Sequence, residues 1–92
     1  MNSITMANIE GTLARLNKIT GNPEASYTKH EDGKYTANVG NYHTDCAYGK
    51  VGVVQMVSDG GGVRSVIPFG TKRETYNRLH SYLDGVLSKK EG

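Results

Sequence analysis

Apolar residues recur at steps of three and four near both ends of the chain, and in alternating or continuous runs through its middle. In "TMANIEGTLARLNKITGNP", Met6, Ile9, Leu13 and Leu16 fall on one helical face. Thr5 stands where an N-cap belongs, and Gly21, Asn22 and Pro23 make a chemically sensible stop. The pattern predicts a helix over residues 6–20. Gly11 weakens it a little, since mid-helix glycine costs up to about 1 kcal/mol against alanine. At the other end, Thr71 and Glu74 of "TKRE" have capping-box spacing, and Tyr76, Leu79, Leu83, Val86 and Leu87 follow as one stripe. A second helix is predicted from there to residue 88, its stripe serving as core or dimer seam.

Between the helices the period changes. "SYTKHEDGKYTANVG" reads as a hairpin with strands over 26–30 and 34–39, Asp32-Gly33 supplying the positive φ of a tight turn. Its alternation is largely polar, so one face is expected to be wet or in an interface. "KVGVVQMVS", residues 50–58, is β-branched and apolar on both parities, which favours a covered central strand. A short helix is the rival reading, because Val53, Val54 and Val57 also share a helical face. "DGGGV" breaks the chain, and "RSVIPF" reads as a short edge strand ended by Pro68. The order is helix, hairpin, one or two further strands, helix: a single α+β domain with both helices on one face of an antiparallel sheet. Residues 1–5 and 89–92 are expected to be loose tails.

Composition narrows the picture. With 92 residues, 36% hydrophobic and no Trp, the core has few large anchors. Small cores often need a metal, disulfides or a partner subunit. Cys46 is alone, so no internal disulfide is possible, and self-association becomes the expected source of extra buried surface. No apolar run approaches the roughly 20 residues of a membrane span, and no secretion signal opens the chain, so a cytosolic protein is expected. A net charge of +2 is too mild to predict duplex nucleic-acid binding and rules against a DNA mimic.

The stretch "GNYHTDCAYGKVG" holds the candidate chemistry. Eight of the 12 glycines lie between Gly33 and Gly70, and from Asn38 to Ser58 the only charges are Asp45 and Lys50. Such a loop would expose backbone N–H groups and admit a ligand closely. Tyr42, His43 and Tyr48 offer flat faces for a base, and the Asn41 amide suits a nucleobase edge. Arg64, Lys72 and Arg73, the last two at a helix start, are placed to neutralise phosphate. Together these seven residues make a nucleotide-pocket inventory without a specific motif. "DGGGV" is neither a P-loop nor a dinucleotide fingerprint. Ordinary hairpin tyrosines and turn glycines are the competing structural explanation.

Catalysis is not expected: His43, Asp45 and Cys46 crowd in sequence, yet neighbours on a strand point apart. Nor is a metal or cofactor, since one Cys and three scattered His do not make a zinc site, and His30 and His80 read as surface residues. Cys46 reads as a small core or loop residue.

On "LNKITGNPEASYT", "DGK", "ANVGNYH", "AYG", the glycine triplet and "KRE", the chain resembles a family of small uncharacterised proteins of tailed phages and prophages, from Leu13 to Val86. That resemblance implies a phage accessory protein of the host bacterial cytoplasm. Three functions follow as expectations. The favoured one is an anti-defence sponge that holds a nucleotide second messenger without cleaving it, its pocket completed by a second copy. The others are an inhibitor that covers a host protein and a binder of single-stranded nucleic acid.

Overall fold

A computed structural model describes residues 3–91, with α1 (Met6–Thr20), β1 (Tyr27–Lys29), β2 (Tyr35–Ala37), β3 (Tyr42–Ala47), β4 (Lys50–Met56), β5 (Val63–Gly70) and α2 (Lys72–Glu91). α1 begins and ends as its sequence predicts. The Thr5 hydroxyl accepts from the Asn8 N–H, and the Asn8 carboxamide accepts from the Thr5 N–H. Gly21 closes the helix in the left-handed region at φ 72°, while the Asn22 N–H reaches back to the Asn17 carbonyl. Thr71 and Glu74 form the expected reciprocal box at the head of α2. α2 continues past residue 88 to Glu91, and Ile4 packs against the core. Met1, Asn2 and Gly92 lie outside the described residues.

The middle of the chain holds five strands in two antiparallel sheets, β1-β2 and β3-β4-β5. Residues 50–56 are a strand, as preferred over the helix, and β4 is central. The β1–β2 turn differs from expectation: only Gly33 has positive φ. A turn spans His30 to Gly33, and the Asp32 carboxylate accepts from the Lys34 N–H instead. β2 stops at Ala37, because the Asn38 side chain turns to bond the Ala25 carbonyl and Thr28. Gly40 follows at φ 98°, where a Cβ would collide with the Asn22 carboxamide.

Two strands differ from the sequence expectation. β3 occupies the segment read as an open glycine loop, and it joins β4 through the two-residue turn Tyr48-Gly49. β5 does not end at Pro68 but runs through it to Gly70. Proline is tolerated there because β5 is an edge strand, where a missing N–H breaks no ladder bond. The β4–β5 pairing slips register between Val51 and Val54. The β5 backbone crosses so close to Gly52 that a Cβ there would sit 2.8 Å from the Ile67 carbonyl oxygen.

Both helices pack on one face of the three-stranded sheet. Ile9, Leu13 and Leu16 of α1 and Leu79 and Leu83 of α2 meet Tyr42, Val51, Val53 and Ile67 in one buried cluster. Thr75, on the same α2 stripe, is fully buried and donates to the Val51 carbonyl at 2.7 Å. On the opposite face Val54 and Met56 of β4 are buried as well, as is Ala37 of β2, while both residues of the Tyr27–Tyr35 ring pair of the β1–β2 hairpin are exposed. The architecture is α+β.

Candidate functional site

The seven candidate residues divide among three places. Asn41 is buried, and all of its side-chain hydrogen-bonding capacity is used internally. Its Nδ2 donates to the Pro23 and Glu24 carbonyls at 2.8 and 3.1 Å, and its Oδ1 accepts from the Ser26 hydroxyl and from His43 Nδ1. It therefore ties the 23–26 connection to the head of β3 and has nothing left to read a base edge. His43, half-buried, is held in the same cluster, with the proton placed on Nδ1 by the acceptor it faces. It borders a recess of about 180 Å³ between α1 and β3, together with Glu10 and Glu24.

Tyr42 is likewise a fold residue. It is 6% exposed, and its backbone N–H and carbonyl are both bonded by the Asn17 carboxamide, at 2.8 and 3.0 Å. Its hydroxyl lies 3.1 Å from that of Tyr82 on α2. Burial and that bond push its pKa up to about 12, with Arg64 opposing. Arg64 sits in the cross-strand row Tyr42, Gln55, Arg64, and its Nε donates to Gln55 Oε1 at 2.8 Å. Tyr42 and Arg64 are thus brought together, but in support of the sheet end and away from the remaining candidates.

Tyr48, Lys72 and Arg73 do converge. A shallow groove of about 530 Å³ runs between the β3–β4 turn and the start of α2, lined by Ser3, Ile4, Tyr48, Gly49, Lys50, Thr71, Lys72 and Arg73. Lys50 joins the three as a further cation. The helix end itself is not the attraction, because the capping box already uses the Thr71 and Glu74 N–H groups. Bonds from the Thr71 backbone and hydroxyl hold the Glu74 carboxyl below the usual carboxylate range. The positive character of the groove comes from side chains.

Tyr48 stands out within it. Its ring is fully exposed, at 102% of the reference, and its φ of 54° is the only positive value of a non-glycine residue among those described. With Gly49 at φ 75°, both central residues of the turn are left-handed, as a type I′ turn requires. Asn is favoured at that first position, and a residue with a full Cβ and a ring costs roughly 1 kcal/mol there. The ring returns no burial to the fold to offset that cost.

The other motifs resolve into structure. The glycine triplet is a turn in which Ser58 accepts from Gly61 and Gly62 and leaves no phosphate cradle. Cys46 is an exposed strand residue, neither in the core nor in a loop. Along β3, His43 and Asp45 fall on one face and Cys46 on the other. His80 is not a plain surface residue, since its ring packs tilted against Tyr76 with centroids 4.4 Å apart and meets the Thr12 hydroxyl across the helix pair. Among the described residues no cluster of three metal-ligating side chains occurs, and no helix is long and apolar enough to cross a membrane. Lys50, a cation that the sequence places beside the segment but outside the seven candidates, lines the groove; the residue that sequence reasoning missed is Asn17, whose place on the α1 stripe beside Leu13 and Leu16 was the available signal. No family model, no curated protein and no solved structure matches this chain, so its function is argued from its own residues.

Proposed function

We propose that the protein is a non-catalytic binding module that takes a phosphorylated, ring-bearing ligand of the nucleotide class in the groove beside Tyr48. The observation that carries this reading is a fully exposed aromatic ring, held in a strained backbone conformation, on the same groove as Lys50, Lys72 and Arg73. A planar base stacks on such a ring, and phosphate pairs with clustered cations. Among the described residues the groove holds no nucleophile and base pair poised for chemistry, which favours retention over turnover. The resemblance to small phage proteins supports a setting in a bacterial host, where a module of this kind withdraws a nucleotide signal from its receptor.

A thermal-shift series with cyclic and linear nucleotides tests the reading. A ligand that binds only the folded state raises apparent stability by about 2.7 kcal/mol at a hundredfold excess over its dissociation constant. That shift is expected for a nucleotide, is expected to exceed that of inorganic phosphate, and is expected to vanish in Tyr48→Asn. Melting points unmoved by every nucleotide would remove the proposal.

A further inference from the structure

The groove beside Tyr48 has two walls that are tied together beneath it. Lys50 opens β4 directly after the Tyr48-Gly49 turn, and Lys72 and Arg73 open α2. The fully buried Thr75 of α2 donates to the carbonyl of Val51, the residue after Lys50, at 2.7 Å. Gly70, the strand partner of Val51, lies so close to the head of α2 that a Cβ there would meet the Glu74 and Arg78 side chains within 3.4 Å. The cations of both walls are thus carried on backbones joined to each other, and ordering them around a ligand costs side-chain freedom only.

Charge and ring counts limit what fits between them. The described residues lining the groove include Lys50, Lys72 and Arg73 as cations, no carboxylate, and Tyr48 as the one aromatic ring. Glu74, on the same turn of α2, is already engaged. Its carboxylate accepts from the Thr71 N–H at 2.9 Å and lies 3.8 Å from Arg78, which balances its charge more than Lys50 does. A phosphate monoester carries about −1.5 to −2 at neutral pH, less than the cations attract, and a second phosphate in line brings the charge to about −3. One ring stacks one base, so the second base of a dinucleotide or a strand finds no platform here.

Resting on the nucleotide reading of this groove, we infer that its ligand is a single nucleoside carrying two or more phosphates in line, the base on Tyr48 and the phosphates across Lys50, Lys72 and Arg73. The planar fork of Arg73 suits two oxygens of one phosphate, while the lysines act as point charges on the others.

Calorimetric titration of the full chain tests it, in EDTA so that no divalent cation screens the phosphates. The probes are the mono-, di- and triphosphates of adenosine, guanosine, cytidine and uridine, together with tripolyphosphate and a cyclic dinucleotide. For the preferred base, the diphosphate is expected to bind at least about tenfold more tightly than the monophosphate. The cyclic dinucleotide is expected to bind no more tightly than the monophosphate, and tripolyphosphate more weakly than the triphosphate. Combining Lys50→Gln with Lys72→Gln, two exposed positions, is expected to bring the ratio of diphosphate to monophosphate affinity below about threefold with helical circular dichroism unchanged. Equal affinity for one phosphate and two, tightest binding of the cyclic dinucleotide, or a ratio that survives the double substitution overturns this inference and leaves the groove a nucleotide site. A chain that binds none of the nucleotides overturns the reading of the groove as well.

Discussion

Tyr42 and Tyr48 sit near the two ends of one strand and are used in opposite ways. At the head of β3, Tyr42 is enclosed by both helices, its backbone bonded by Asn17 and its hydroxyl by Tyr82. Just past the strand's other end, Tyr48 touches water on every side and holds a backbone conformation that its side chain makes costly. The first ring makes contacts that favour folding; the second works against it. Residues of the second kind persist where an outside contact uses them, so Tyr48, and not the richer polar cluster around Asn41, marks the candidate groove.

The contrast can be broken at several points. The largest effect belongs to Asn41→Ala, which removes a buried carboxamide, takes their partner from the Pro23 and Glu24 carbonyls, the Ser26 hydroxyl and His43, and frees the 23–26 connection. A loss of about 3–5 kcal/mol is expected in urea denaturation. Tyr42→Phe is milder, removing one hydroxyl contact for about 1 kcal/mol. It also reports on pH. The folded-state pKa of Tyr42 lies above its ordinary 10.0, at about 12, so the neutral phenol is the form the fold favours. Its contribution is complete below pH 10.0 and is lost as pH rises towards about 12. Stability measured through that window is expected to fall more steeply in the wild type than in Tyr42→Phe. Smallest, and opposite in sign, is Tyr48→Asn: the turn gains the residue it prefers, and stability rises by up to about 1 kcal/mol. A variant that is more stable yet has lost its response to nucleotides separates the roles of the two tyrosines; one that is destabilised erases the distinction.

Both helices were legible in the sequence because their stripes and caps are local: Thr5, Gly21, Thr71 and Glu74 each act within a turn of their own helix. β4 was legible from its valines. β3 was not, because "YHTDCA" contains no apolar run, and what anchors it is a carboxamide from α1 and not a hydrophobic neighbour. Its turn was hidden as well, since Tyr-Gly lacks the usual signature of a two-residue hairpin. The extension of β5 through Pro68 depends on that strand being at an edge, which is a property of the assembled sheet. Of the candidate residues, Tyr48, Lys72 and Arg73 line one groove, a meeting that their residue types alone did not show. Asn41 and Tyr42 were misassigned because the groups that consume them, Pro23, Glu24 and Asn17, lie 17 to 25 positions away.

The Asn17 carboxamide has a consequence beyond holding Tyr42 in place. By bonding both backbone groups that Tyr42 turns outward from the sheet, it stands where another strand would begin to add, while α1 runs alongside and Pro68 interrupts the opposite margin. Sheet margins blunted in this way resist fibrillar stacking. A small protein so protected can accumulate to high copy number without aggregating, and high copy number is what stoichiometric capture of a ligand demands.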